Sequence, residues 1–227
     1  MNASAQDKGP DLAGRGGLPE WIAPARTALV IIDMQVDFAS PDGALGQAGL
    51  DMSIVAPALE AAERLAAAAR RAGTPVVFVG LQTQAALDSP AWRERSLRRG
   101  GDPADDGGLC RAGQRGADFV GPTPLPHELV IPKIRYSGFF GTNLDAGLKA
   151  LGVDTLLVCG LTTECCVDST VRDAFNLDYH VFIASDACAA YERDLHEGAL
   201  KSLELNCAML VATPEVEAAW GERIEHG

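Results

Sequence analysis

VDTLLVCGLTTECCVDSTVRDAFNLD, residues 153–178, joins the two signals that decide the architecture. VDTLLVCG (153–160) is an apolar run that closes on a glycine, and ECCVDSTVRDAFNLD (164–178) carries the spacing of an amphipathic helix. A strand that is apolar throughout, rather than alternating, is covered on both faces, as in a parallel sheet with helices either side. The same couplet recurs along the chain. TALVIID (27–33), TPVVFVGL (74–81), HELVIPK (127–133), YHVFIAS (179–185) and CAMLVAT (207–213) read as further strands. APALEAAERLAAAARRAG (56–73), NLDAGLKALG (143–152) and LHEGALKSLEL (195–205) read as helices, the first two stopping at glycines. The expected class is therefore α/β, a three-layer α/β/α domain around a six-stranded, mainly parallel sheet.

The rhythm fails in two places. Residues 1–25 are Gly-, Pro- and polar-rich and read as a flexible N-terminal arm, leaving 26–227 as a single domain. Residues 82–126 hold only one short helical piece, around Trp92–Arg98, and a connection of that length in a compact domain is usually functional or mobile.

Composition narrows the partners. The chain has 227 residues, 47% hydrophobic and 22% charged, with a net charge of −12, which argues against a nucleic-acid surface and against anionic lipid. No apolar run is long enough for a membrane span, and the N-terminus lacks the apolar centre of a secretory signal. The cysteines, at 110, 159, 165, 166, 188 and 207, do not have the spacing of a disulfide-stapled secreted domain, so a cytoplasmic protein is expected.

In open α/β sheets ligands bind outside the carboxyl ends of the strands. Three such ends carry reactive groups: Asp33, Lys133 and Cys166. Singly, each has a plain explanation as a turn cap, a solvated lysine or a packed thiol. In combination they compose a mechanism. A helix N-terminus and a neighbouring ammonium both favour the thiolate of Cys166, and Asp33 can take its proton and return it to a leaving amine. Helical spacing separates successive side chains by about 100°. That turns Cys165 toward a polar stripe with Asp168 and Arg172 and favours Cys166 as the nucleophile. A redox pair or a zinc clasp is the rival reading of the doublet, but zinc wants C-x-x-C spacing with partners elsewhere.

GLTTECCVDST (160–170) resembles the nucleophile segment G-x-x-T-x-x-C-V-x-x-T of the isochorismatase-like cysteine hydrolases. Counting from Thr163 places the family cysteine at Cys166. LVIIDMQVDF (29–38) is similar to the family's first-strand motif and nominates Asp33, and IPKIRYSGFFGTNL (131–144) is similar to its lysine segment and nominates Lys133. The resemblance spans about residues 26–213. It implies an Asp–Lys–Cys triad, a cis peptide at Leu161–Thr162, an oxyanion hole made of the Thr162 and Cys166 backbone N–H groups, and a homo-oligomer, dimer or tetramer.

Within the family, vinyl-ether isochorismatases lack the cysteine, and nicotinamidases carry a D-x-H metal site that LQTQAALDSPAW (81–92) does not match. No metal and no cofactor is expected. The segment around Lys133 is most similar to hydrolases of ureido and carbamoyl amides: ureidoacrylate, biuret, triuret and N-carbamoylsarcosine amidohydrolases. The reaction this implies is cysteine-dependent cleavage of a C–N bond in a small linear amide through a thioester or thiocarbamate. An amidase for nicotinamide, maleamate or another non-ureido amide, and a silent member of the family, are the alternatives. Arg135 and Tyr136 are expected to contact substrate or to stabilise their own loop, Phe38 to wall the pocket or pack in the core, and Gln35 to reach substrate.

Overall fold

The computed structural model describes residues 16–101 and 108–221. From the short α1 (Leu18–Trp21) the chain enters β1 (Thr27–Ile32) and passes α2 (Val36–Ala39), α3 (Ala44–Gln47) and the long α4 (Ala56–Ala72) before β2 (Val76–Leu81). The connection onward holds α5 (Pro90–Arg98) and leads to β3 (Leu129–Lys133). Then follow α6 (Leu144–Ala150), β4 (Thr155–Leu161), α7 (Asp168–Asn176), β5 (His180–Ala189), α8 (Arg193–Asn206), β6 (Met209–Val211) and α9 (Thr213–Gly221). The strands form one six-stranded sheet, every pairing parallel, in the order β3-β2-β1-β4-β5-β6.

Local chemistry explains the elements. α4 combines Ala and Leu, which lose little entropy in a helix, and buries Ala58, Ala62, Leu65 and Ala69 on one stripe. It ends on Gly73, whose φ of 75° supplies the left-handed cap, with Arg70 and Arg71 in the last turn against the helix dipole. α4 packs on α9 and crosses the sheet, while α7 and α8 pack on each other beside β5 and β6. Right-handed crossovers that run outward in both directions from β1 and β4 put these two groups on opposite faces. β1, β2 and β4 are buried along their whole length, as their apolar sequences require.

Two boundaries differ from expectation. β3 is an edge strand and alternates, with Ile131 and Lys133 buried and Val130 and Pro132 exposed. Pro132 is tolerated there because its missing N–H faces no neighbour strand. Residues 1–15 of the expected arm lie outside the described residues. Its remainder is packed: Ile22 is wholly buried and its carbonyl accepts the Trp220 indole N–H at 2.8 Å, so the domain begins ahead of residue 26. Of the 82–126 connection, 102–107 lie outside the described residues. Its far end is pinned to the exit of β1, where Cys110 N donates to Asp37 Oδ2 at 2.6 Å and Val120 N to the Met34 carbonyl at 2.9 Å.

The strand order reverses between β1 and β4, which opens a crevice at their carboxyl ends. Gly160, on β4, stands there with φ of 135°, and a Cβ on it would collide with the Ile32 carbonyl oxygen of β1. Gly160→Ala is therefore expected to lose about 3–5 kcal/mol of stability, read as a lowered urea midpoint. A midpoint unchanged from the parent would contradict this close approach.

Candidate active site

Asp33 follows β1 directly and adopts φ of 49°, a left-handed conformation that turns its carboxylate back over the strand ends. Its Oδ1 accepts the Leu81 N–H from the end of β2 at 2.9 Å, and its Oδ2 accepts from Lys133 Nζ at 2.6 Å. Lys133 closes β3 and pairs in register with Leu81, so its side chain reaches across the end of β2 to meet Asp33. Both side chains are 0% exposed. The ammonium also donates to the Arg135 carbonyl at 3.1 Å and lies 3.3 Å from Cys166 Sγ. Asp33, Lys133 and Cys166, separated in sequence by up to 133 positions, thus share one ammonium group.

Cys166 does not open a regular α-helix. Thr163–Val167 forms a π-turn ahead of α7, with the Val167 N–H reaching the Thr162 carbonyl at 3.2 Å. The Leu161–Thr162 peptide before it is cis. Within this wider turn Cys166 is buried and Cys165 only partly so. The neighbouring thiols act on each other in opposite senses, which holds Cys165 below and pushes Cys166 above the ordinary thiol range. Burial and the Asp33 charge push Cys166 further up, while Lys133 opposes them. Lys133 cannot win because it sits closer to Asp33, which spends most of its charge. The balance raises the Cys166 thiol, against the expectation that the helix start and the ammonium would favour its thiolate. Burial pulls against the Lys133 ammonium, but the Asp33 carboxylate beside it raises the lysine.

The substrate-binding expectations divide. Gln35 is turned into the protein: Nε2 donates to the Leu81 and Ala117 carbonyls at 2.9 and 2.7 Å, and Oε1 accepts the Leu81 N–H at 2.8 Å. With its amide consumed and no exposure, it ties β1, β2 and the 115–117 turn together rather than reaching outward. Phe38 belongs to the core, and its carbonyl accepts the Tyr191 hydroxyl at 2.6 Å. Arg135 and Tyr136 are half-buried beside the triad and stack with Trp92 of α5. Burial raises the Tyr136 phenol, with Cys165, Cys166 and Lys133 all within its electrostatic reach.

Several further residues shape the site, of which Thr170, Glu164 and Trp92 had been given no role in it. Thr170 donates to the Cys166 carbonyl at 2.7 Å and accepts the Gly138 N–H at 2.9 Å, clasping the lysine loop to the nucleophile turn. It is the last threonine of the motif, a signal available in GLTTECCVDST. Glu164 accepts from Thr162 Oγ1 at 2.8 Å. His196 bonds Thr163 Oγ1 through Nδ1 at 2.8 Å, which fixes α8 to the same turn. Trp92 was read on a short helical piece, but its contact with the lysine loop carries no signal in sequence. Among the described residues, no three His, Cys, Asp or Glu side chains cluster as a metal site would require.

The isochorismatase domain model matches residues 27–215. The ureidoacrylate amidohydrolase of Methylobacterium radiotolerans is 36% identical over 217 residues, covering 89% of this chain and 83% of that protein. An isochorismatase family protein of Desulfovibrio vulgaris superposes with a TM-score of 0.72 at 33% identity, over 86% of this chain and 98% of that one. The N-carbamoylsarcosine amidase of Thermoplasma acidophilum does so at 0.67 and 27%, over 83% and 96%.

The thiol directions have a measurable consequence. Thiolate is the reactive form, and its fraction grows as pH rises through the pKa. Near neutral pH, iodoacetamide should therefore label Cys165 ahead of Cys166 in the substrate-free protein. Labelling of Cys166 should accelerate only above the free-thiol value of about 8.5. Fragment-ion mass spectrometry separates the adjacent sites, and preferential Cys166 labelling at neutral pH would refute the resting thiol.

Proposed function

We propose a cysteine-dependent mechanism for this chain, which belongs to the isochorismatase family and is a hydrolase of C–N amide bonds. The substrate is a small linear ureido or carbamoyl amide. The observation that carries the reading is the Lys133 ammonium, 2.6 Å from the Asp33 carboxylate and 3.3 Å from the Cys166 sulfur in a buried crevice.

As the substrate displaces water, Asp33 takes the Cys166 proton and the sulfur attacks the carbonyl carbon. Lys133 stays protonated and offsets the charge that leaves the carboxylate and appears on sulfur and oxygen. The Thr162 and Cys166 backbone N–H groups receive the oxyanion, an interaction worth about 3–4 kcal/mol per donor where it has been measured. Asp33 returns the proton to the departing ammonia or amine, leaving a thioester or thiocarbamate. A water deprotonated by Asp33 then attacks that carbon, and the C–S bond breaks to release the acid or carbamate and restore the thiol. A neutral resting thiol suits this order, because the proton moves only when the carbonyl is present to accept the sulfur.

Arg135 and Tyr136 line the entry to this crevice and contact the substrate. The assembly is a homo-oligomer, dimer or tetramer, in keeping with Phe175, Leu205 and Met209, exposed apolar side chains near the β6 edge.

The test is ammonia release from a panel of ureidoacrylate-type acids, biuret, triuret, N-carbamoyl amino acids and nicotinamide. Cys166→Ala and Asp33→Asn should each lose about 10³-fold or more in kcat, whereas Cys165→Ala keeps most of it. Turnover that survives Cys166→Ala but not Cys165→Ala would refute the assignment.

A further inference from the structure

We propose that Trp92, on α5, is a positioning residue of the reaction: its ring holds the peptide group whose oxygen aims the Lys133 ammonium at Cys166. The proposal rests on the reading above, in which Lys133 serves the attack, and it gives the connection between β2 and β3 a part in that step.

A lysine ammonium has three protons to donate and accepts nothing. That of Lys133 has three partners: the Asp33 carboxylate at 2.6 Å, the Arg135 carbonyl at 3.1 Å and the Cys166 sulfur at 3.3 Å. With two protons committed to fixed oxygens, the third is directed at the sulfur. Without the Arg135 carbonyl the ammonium can turn about its last bond, and Asp33 alone is left to orient it. That carbonyl belongs to the peptide joining Arg135 to Tyr136.

The main chain does little to hold this peptide. Among the described residues, no backbone-to-backbone hydrogen bond involves Ile134, Arg135 or Tyr136. The chain is fixed on either side of them: Lys133 closes β3 in register with Leu81, and Gly138 N donates to Thr170 Oγ1 at 2.9 Å. The Arg135 guanidinium donates to the Ile134 carbonyl at 2.7 Å, a contact inside the turn that cannot tie the turn to the domain. Trp92 grips both side chains that flank the peptide. Its ring centre lies 5.3 Å from that of Tyr136 and 5.5 Å from the Arg135 guanidinium carbon, within the range of ring-on-ring and cation–π attraction. Trp92 lies outside the hydrophobic core, and among the described elements α5 packs closely on no other helix or strand. The start of α5 is anchored where the ring stands. Ser89 Oγ accepts the Trp92 backbone N–H at 3.2 Å, and Asp88 pairs with Arg111 at 2.8 Å.

The experiment compares the parent with Trp92→Ala and Trp92→Phe, using biuret and N-carbamoylglycine as probes. Trp92→Ala should lower kcat by about 10- to 100-fold while KM stays within about 3-fold of the parent. Trp92→Phe, which keeps a ring, should recover most of kcat. An unchanged kcat, or a loss confined to KM as a pocket wall would give, would overturn the proposal. The urea midpoint of Trp92→Ala should match the parent's, because the ring is outside the core. A midpoint that falls together with kcat would make the role structural and also overturn it. A second readout needs no turnover. Lys133 opposes the rise of the Cys166 thiol, so an ammonium no longer aimed at the sulfur lets that thiol rise further. The pH midpoint of Cys166 labelling by iodoacetamide should then move upward by about 0.5–1 pH unit in Trp92→Ala. A more open site changes the labelling rate but leaves the midpoint in place. If the parent hydrolyses neither amide, the ureido reading fails while the labelling still decides the positioning. An unmoved midpoint would overturn it in either case.

Discussion

The ion pair between Lys133 and Asp33 is the constraint on which the site depends. Both side chains are fully buried, 2.6 Å apart. Removing two charges from water costs several kcal/mol each, and their attraction offsets that cost only where the remaining polar atoms are also satisfied. They are: Leu81 N–H completes the carboxylate, while the Arg135 carbonyl and the Cys166 sulfur complete the ammonium. The pair therefore cannot be treated apart from the three strand ends that hold it. β1, β2 and β3 must finish at one level for Asp33, Leu81 and Lys133 to meet, and the Leu81–Lys133 register does this. Gln35 secures the same junction from beneath by sharing the Leu81 N–H and capping its carbonyl.

This arrangement also sets the charge state of the sulfur. An ammonium alone at 3.3 Å would stabilise a thiolate, but an ammonium already bound to a carboxylate presents little net charge. The neighbouring Cys165 thiol then raises Cys166 most, reinforced by burial. A buried thiol is protected from adventitious electrophiles and oxidants, since both react with thiolate. Cys165 is held below the ordinary thiol range and is more open to solvent than Cys166. The doublet is thus an interacting pair with opposite properties, and neither cysteine can be understood by itself.

Much of this was legible in sequence, for identifiable reasons. Continuous apolar runs at β1, β2 and β4 reported burial on both faces, and a reactive residue at the end of each of three runs marked the crevice. The sequence could not report features decided by contacts far along the chain. Gln35 is polar and sits beside Asp33, so it looked like a substrate ligand; its partners Leu81 and Ala117 are set by folding. Cys165 was assigned to a more open face than Cys166 on α-helical spacing, and it is the less buried of the two although the first turn is a π-turn. The half-exposed β3 was hidden because edge position depends on strand order, which an apolar run does not encode. Trp92 was legible as part of a short helical piece, but its ring contacts appear only where α5 meets the lysine loop.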